Sequence, residues 1–158
     1  MNLQKMPAEI KIPLYVREIL DRFYHAGKEA YAVGGCIRDS LLNREPDDWD
    51  ITTQVPPQEV QKLFDSFKII PTGIKHGTVT ILSHGYPVEV TTYRIDGSYS
   101  DARHPDRVRF SLSLYEDLAR RDFTINALAC CRGGSEVIDC FGGLQDLKSK
   151  IIRCVGSP

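Results

Sequence analysis

The chain has 158 residues, 42% of them hydrophobic and 26% charged, with a formal net charge of −1. These values predict one soluble globular domain with its own core, and a charge so close to zero excludes a general nucleic-acid coat protein. No apolar run approaches the ~20 residues of a membrane-spanning helix, so no membrane partner is expected. The N-terminus has no apolar signal core and the five cysteines include no Cys-x-x-Cys pair, which favours reduced thiols and a cytoplasmic location.

Helical and strand-like segments alternate along the chain, without an internal repeat or a low-complexity region. Apolar residues at helical spacing follow Pro13 and stop at Gly27, so residues 1–27 are predicted as a helical lead-in to a single domain, 1–158. Interspersed helices and strands predict an α/β fold with a mixed sheet flanked by helices. The predicted elements are helix 13–26, strand 31–33, a short helix ending at Asn43, strand 48–53, a helix from Pro57, strands 67–70, 78–82 and 87–93, a polar loop 94–110, a strand from Val137, a helix from about Leu144 and a strand 151–155.

Two carboxylates lie two residues apart where the second predicted strand begins. Asp48 and Asp50 would project from the same side of the strand, about 6–7 Å apart along the backbone. Two hard carboxylates on one face form a site for Mg²⁺. The alternative is a pair of solvated loop residues, but Asp50 runs directly into Ile51-Thr52-Thr53, a β-prone segment. The pattern therefore favours a metal site on the strand.

A glycine turn precedes the acidic strand by one element. Gly34 and Gly35 let a phosphate approach the backbone, and the amides that open the following helix can bind it. Arg38 lies one turn into that helix, and its several donors match phosphate oxygens. The alternatives are an ordinary strand-to-helix turn and a surface arginine. A phosphate site beside paired carboxylates is the layout that metal-assisted phosphoryl transfer requires.

Glu89 lies in the middle of an apolar strand, 87–93, which follows a hairpin turn at His84-Gly85. A carboxylate there is costly unless it has a partner. One interpretation is the polar side of an edge strand. The other, which we favour, is a third carboxylate that faces the same metals, because the hairpin would lie beside the acidic strand.

The long polar loop 94–110 lacks any periodicity, and loops of this length are commonly functional or mobile. It contains Asp101, Arg103 and His104. Every cationic residue from Arg94 to Arg132 is arginine rather than lysine, a bias that suits recognition of phosphates or bases. Arg120 and Arg121 adjoin Asp122, and we consider two interpretations. One is an ion-paired surface turn. The other is a pair of arginine donors for a triphosphate, with Asp122 holding one of the arginines in place.

Together these segments resemble the N-terminal head of the class II nucleotidyltransferases, the family of tRNA CCA-adding enzymes and bacterial poly(A) polymerases. The resemblance spans nearly the whole chain from about Tyr31 and implies a polymerase β-type palm. The matching segments are VGGCIRDSLL (33–42) with DWDIT (48–52), RRDFTINALA (120–129) and DCFGGLQDL (139–147).

The resemblance implies a two-metal-ion phosphoryl transfer from ATP or CTP to the 3′ end of tRNA. Under it, the two Mg²⁺ ions are bound by Asp48 and Asp50 with Glu89 as third carboxylate. The implied nucleotide-binding residues are Gly34, Gly35, Arg38, Arg121 and Asp122, and the implied flexible-loop residues are Asp101, Arg103 and His104.

Within that family, TGIKHGTVT (72–80) resembles the CCA-adding branch, and DARHP (101–105) resembles the flexible loop of enzymes that add the terminal A. Ala102 replaces the glycine that is common there. The base-reading helix and the neck, body and tail that hold tRNA are not in this sequence, so tRNA binding is expected to need further chain or a partner. We also expect a bare apolar patch near the C-terminal strand.

Three alternatives remain at this point. The first is a poly(A) polymerase head, against which the Lys75-His76-Gly77 context argues. The second is a non-catalytic module that keeps the fold and binds nucleotide, against which the intact Asp48, Asp50 and Glu89 argue. The third is a small nucleotidyltransferase that modifies a drug or a protein, which the segment 120–126 disfavours.

Overall fold

The computed structural model describes residues 3–71, 73–95 and 109–156, and it confirms a mixed α/β fold whose sheet is flanked by helices. No helix in this described part is both long and apolar enough to cross a membrane. The helices are α1 Leu14–His25, α2 Gly35–Leu41, α3 Pro57–Leu63, α4 Leu114–Ala119 and α5 Gly143–Lys148. The strands are β1 Lys5–Pro7, β2 Ala30–Val33, β3 Asp50–Thr53, β4 Lys68–Ile70, β5 Thr78–Ser83, β6 Tyr86–Thr92, β7 Arg94–Ile95, β8 Arg109–Phe110, β9 Leu128–Cys130 and β10 Glu136–Asp139.

The main sheet has eight strands in the order β1-β10-β9-β2-β3-β6-β5-β4. Strands β3 and β6 lie at its centre and pair in parallel, whereas their other neighbours run antiparallel to them. Strands β7 and β8 form a separate small sheet. The hairpin β5–β6 therefore lies beside the acidic strand, as the sequence predicts.

The two faces of the sheet are covered by different helices. Helix α1 contributes Val16, Ile19, Leu20 and Phe23 to the larger core, at the spacing expected of one helix face. On the other side, α4 packs Leu114 and Leu118 against Tyr93 and Val33. Since Ala32 belongs to the first core and Val33 to the second, the alternation along β2 joins the two.

The segment DCFGGLQDL (139–147) has a local structural purpose. The buried Asp139 carboxylate accepts hydrogen bonds from the backbone amides of Phe141, Gly143 and Leu144 at distances of 2.9–3.3 Å. These bonds fix the start of α5, which the sequence places correctly within a residue.

Several elements differ from the sequence prediction. The sequence does not predict α4, β9 or the small strands β7 and β8, which lie within the predicted polar loop 94–110. Strand β1 pairs with β10 inside the region predicted as a helical lead-in, and its three residues are all exposed, so that it carries no apolar alternation to predict it. The predicted strand 151–155 is wrong, because Cys154 makes only an isolated bridge to Phe123.

The backbone of the segment 151–155 instead fastens the turn at residues 122–124. Arg153 O accepts from Thr124 N, and Val155 N donates to Asp122 O, each at 2.9 Å. Ile151 and Ile152 are exposed, the latter by 73%. Apolar side chains are thus bare near the C-terminal segment, and the self-association that we expect of them stays a prediction.

Candidate active site

The centre of the sheet places two of the predicted carboxylates side by side. Asp50, the first residue of β3, is the register partner of Glu89 in the parallel strand β6. Adjacent strands are about 4.8 Å apart, and register partners project from the same face. Because β6 lies between β3 and β5, Glu89 is not on an edge strand. The edge-strand interpretation of Glu89 is therefore excluded.

Asp48 joins this pair through the local alternation around Trp49. The Trp49 side chain is only 2% exposed and belongs to the larger core. With Trp49 anchored inward, Asp48 and Asp50 face the other way. The three acids line one open pocket of about 290 Å³, together with Trp49, Thr80 and Pro87.

The pocket raises the pKa of the Asp50 carboxyl to about 6. Burial is the largest cause, the charge of Glu89 is the second, and Asp48 adds to the effect, whereas the Arg121 cation opposes it. A carboxylate that is partly desolvated beside like charges favours a proton or a bound cation. The electrostatics therefore fit a cation-binding site.

The donor set also fits a hard divalent ion, since its members are carboxylates. No three His, Cys, Asp or Glu side chains among the described residues are already gathered into a metal cage. Mg²⁺ commonly keeps several waters and binds through one or two carboxylates plus substrate phosphates. The pocket matches that open kind of site rather than an all-protein cage.

The glycine turn lies under two arginines. Gly34 has φ +87° and donates its amide to Leu128 O at 3.0 Å. A Cβ at Gly34 would lie 3.5 Å from Arg121 Nη1, and one at Gly35 would lie 3.3 Å from Arg38 Nη2. The turn thus combines a left-handed backbone with close cation approach, which glycine permits. Both arginines of the predicted phosphate site lie at the turn, and their contact with phosphate stays a prediction.

Arg38 is held in this position by its neighbours. Its Nε donates to Asp39 at 3.0 Å and its Nη1 donates to Asn126 Oδ1 at 2.7 Å. Asn126 was not singled out by the sequence reasoning. Its side chain ties the arginine-rich segment 120–126 to helix α2, so two of the three matching segments meet here.

Arg121 is held by Asp117 rather than by Asp122. Asp117, in α4, accepts from Arg121 Nη2 at 3.1 Å, and it is fully buried. Asp122 instead accepts from Phe123 N at 2.7 Å and from Asn126 Nδ2 at 3.4 Å, because its side chain follows the local turn. A nucleotide contact of Asp122 stays a prediction. An Asp four residues before an Arg on a helix is the signal that could have identified Asp117.

The predicted flexible-loop residues, Asp101, Arg103 and His104, lie outside the described residues. The carboxylates Asp48, Asp50 and Glu89 line one pocket, and their role as metal ligands stays a prediction. Arg121 lies near both Asp50 and the Gly34 turn. The described site is thus a carboxylate pocket on one side of an arginine-flanked glycine turn.

Comparison with protein families gives a match over most of the chain. The family described as the poly A polymerase head domain matches residues 30–153. A CCA-adding enzyme of Limosilactobacillus fermentum is 49% identical over 158 residues, which is 100% of this chain and 38% of that protein. A CCA-adding enzyme of Lactobacillus delbrueckii subsp. bulgaricus is 54% identical over 138 residues, which is 87% of this chain and 34% of that protein.

Solved structures show the same relationship. The Bacillus stearothermophilus CCA-adding enzyme in complex with CTP superposes with a TM-score of 0.79 at 43% identity, over 90% of this chain and 33% of that one. A tRNA nucleotidyltransferase complexed with a primer tRNA and an incoming ATP analog gives a TM-score of 0.65 at 33% identity, over 87% and 39%. The chain therefore spans well under half the length of the relatives it matches.

Proposed function

Because the chain belongs to the poly A polymerase head domain family, we propose that it is the catalytic head of a tRNA CCA-adding nucleotidyltransferase. It would transfer CMP and AMP from CTP and ATP to the 3′ end of tRNA. The observation that carries the proposal is the pairing of Asp50 with Glu89 on adjacent parallel strands, in one pocket with Asp48. Relatives that are CCA-adding enzymes, one of them in complex with CTP, support this choice of substrates.

The reaction joins the acceptor's 3′-oxygen to the α-phosphorus and breaks the bond from that phosphorus to the leaving pyrophosphate. Asp48, Asp50 and Glu89 are the residues that would hold Mg²⁺. When bound there, Mg²⁺ supplies Lewis-acid activation of the hydroxyl and charge neutralisation of the triphosphate. The negative charge of the carboxylates also repels the triphosphate, so that a nucleotide without its cation binds poorly.

The arginines at the glycine turn supply the opposite charge. The guanidinium group of Arg38 lies beside Gly35, and that of Arg121 lies beside Gly34. Guanidinium groups match phosphate oxygens with several donors. The proposal therefore assigns the triphosphate to the space between these arginines and the carboxylate pocket.

The test is nucleotide transfer with this chain, Mg²⁺, a tRNA that lacks its 3′ end and labelled CTP or ATP. Asp50→Asn removes one charge at nearly constant shape and should abolish transfer. Asp47→Asn is the matched control, because Asp47 is an exposed aspartate that does not line the pocket. Native transfer that Asp50→Asn does not reduce would contradict the proposal.

Transfer also depends on how the acceptor is held, so nucleotide binding is measured alongside it. Mg²⁺-dependent binding of CTP or ATP without transfer would show that the pocket works and that tRNA needs further chain or a partner. Absence of both binding and transfer would refute a catalytic head in this chain.

A poly(A) polymerase head is the second candidate, because the matching family carries that description. The segment 72–80 favours the CCA-adding branch. Product length separates the two on the same tRNA. A CCA-adding enzyme uses CTP before ATP and stops, whereas a poly(A) polymerase uses ATP alone and continues.

A further inference from the structure

Asp117 is a buried aspartate that does not line the carboxylate pocket. Its side chain is 0% exposed. Oδ2 accepts from Thr52 Oγ1 at 3.0 Å and from Arg121 Nη2 at 3.1 Å. Oδ1 accepts from Arg94 N at 3.2 Å and from Arg120 Nε at 3.4 Å. The four donors thus divide equally between the two oxygens.

An ionised carboxylate is the side chain that matches this set of donors. It has only acceptors, with lone pairs for about four donors. An asparagine at the same place has one acceptor oxygen, and its amide group would point a donor at two other donors. Burial makes each such mismatch costly. The site is therefore specific for aspartate rather than for a polar residue of that size.

The donors come from three parts of the chain. Thr52 lies two residues after Asp50 on β3, so it shares the strand that carries the pocket carboxylate. Arg94 N begins β7, immediately before residues 96–108. Arg121 belongs to the segment 120–129. Asp117 consequently fixes the position of the arginine relative to the carboxylate strand.

Arg121 has little freedom left once Asp117 holds it. Its Nη2 donates to Asp117, and its Nε is buried without a hydrogen-bond partner among the described residues. Its Nη1 is the atom that lies beside the Gly34 turn. Its charge also acts on Asp50. One edge of the guanidinium is thus turned toward the space between the turn and the pocket.

We infer that Asp117 is a positioning residue for nucleotide binding, which acts by holding the guanidinium of Arg121 toward the triphosphate between the Gly34 turn and Asp50. The inference rests on the proposed function, since it takes a nucleoside triphosphate as the ligand. Because Asp117 is fully buried, it would contact neither the substrate nor the reacting atoms.

The experiment measures the affinity of the chain for CTP and for CMP, each with Mg²⁺, by calorimetric titration. The ratio of the two affinities isolates the contribution of the terminal phosphates. Asp117→Asn should weaken CTP binding by about ten-fold, the size expected from one charged hydrogen bond, and should change CMP binding far less. A purely structural role would lower both affinities together, by reducing the folded fraction.

A double-variant cycle tests whether Asp117 acts through Arg121. Arg121→Gln should lower the CTP-to-CMP ratio at least as much as Asp117→Asn does. The double variant should lose no more than Arg121→Gln alone, because the positioned group is already absent. Losses that multiply would show that the two residues act independently and would overturn the inference.

The chain offers a matched control in Asp146. This carboxylate is also buried and also accepts from a threonine hydroxyl and an arginine, Thr124 Oγ1 at 2.7 Å and Arg153 Nε at 3.1 Å. It does not line the pocket. Asp146→Asn should therefore leave the CTP-to-CMP ratio unchanged in the folded protein, and an equal change in that ratio would overturn the inference.

If Asp117→Asn does not fold, Thr52→Val carries the test. It removes one donor to Asp117 at constant side-chain size. In the native background it should lower the CTP-to-CMP affinity ratio about two- to five-fold. In a chain that already carries Arg121→Gln, it should leave that ratio unchanged. No change in the native background overturns the inference. A native chain that binds neither CTP nor ATP overturns the proposed function as well, whereas native binding with an unaffected Asp117→Asn variant overturns this inference alone.

Discussion

Asp50 and Asp146 lie in two regions that treat the same side chain in opposite ways. Asp146, in α5, is buried, yet its pKa is lowered because the Thr124 hydroxyl and the Arg153 guanidinium donate to its carboxylate. Asp50 lines an open pocket, yet its pKa is raised to about 6 by partial burial and by Glu89. Exposure alone therefore does not decide whether the ionised form of an aspartate is stabilised.

The difference shows how this fold separates stability from binding. Donors around Asp146 satisfy the charge within the chain, so that the carboxylate holds α5 against Thr124 and Arg153. Asp50 lies beside the like charges of Glu89 and Asp48, which the Arg121 cation only partly offsets. A carboxylate in such surroundings is stabilised when a cation binds from solution. The following changes should deepen or remove that contrast.

The largest effect is expected at the pocket, from Glu89→Gln. The change removes the charge beside Asp50 without changing the side chain's length, and transfer should fall by at least about a hundred-fold, the size typical of losing one electrostatic contact to a reacting group. Glu136→Gln is the matched control, because Glu136 is an exposed strand glutamate in β10. Equal transfer rates for the two variants would show that Glu89 is only a surface residue.

In the region around Asp146, a steric collision at Gly143 should destabilise the fold. A Cβ there would collide with the Thr124 carbonyl, which belongs to the backbone and cannot move aside. Gly143→Ala should therefore destabilise the fold by about 3 kcal/mol, as overpacking of a core does. Gly142→Ala is the control, since a Cβ there meets nothing within 4 Å and faces only the strain of φ +78°, about 1 kcal/mol. Chemical denaturation measures both, and equal losses would contradict the collision.

Asp146→Asn should lower the melting temperature at neutral pH by several degrees. The folded-state pKa of Asp146 lies below its ordinary value, so its stabilisation is fully present above about pH 4 and is lost as the pH falls through the folded pKa. The difference in melting temperature between native and variant should therefore shrink below pH 4. Asp65→Asn, at an exposed position, should show no such difference at any pH.

The two regions also differ in how far the sequence predicts them. The alternation around Trp49 orients Asp48 and Asp50, because a local period of two decides which side chains are buried. The partnership of Asp50 with Glu89 needs the parallel pairing of β3 with β6, across more than thirty residues of chain, and local periodicity contains no such information. Periodicity alone leaves two interpretations of Glu89. The expected place of the hairpin beside the acidic strand favours a third carboxylate, and the family resemblance implies the same role.

Asp117 shows the limit of local reasoning more sharply. Glu116, Asp117 and Asp122 all lie within reach of Arg121 in sequence, and the adjacent Asp122 is the simplest choice. The structure selects Asp117 because α4 ends at Ala119 and the chain then turns, which points Arg121 back over the helix. The exposed strand β1 and the segment 151–155 fail for the related reason that their backbone partners are distant in sequence.

The smallest expected effect is a gain of stability from Asp50→Asn in the metal-free protein. The folded-state pKa of Asp50, about 6, lies above the ordinary value, so the folded state holds the proton more tightly than the unfolded state does. Ionised Asp50 therefore destabilises the fold above about pH 6, and this penalty disappears as the pH falls toward 4. Solvent screening at the open pocket limits this penalty to about 1 kcal/mol or less.

The variant should melt about 2–4 °C higher than the native chain at pH 7.5, with no difference near pH 4. Mg²⁺ should raise the melting temperature of the native chain more than that of the variant, because the ion replaces the missing internal partner. A variant that melts lower than the native chain at pH 7.5 would place Asp50 with Asp146, among the carboxylates that hold the fold together.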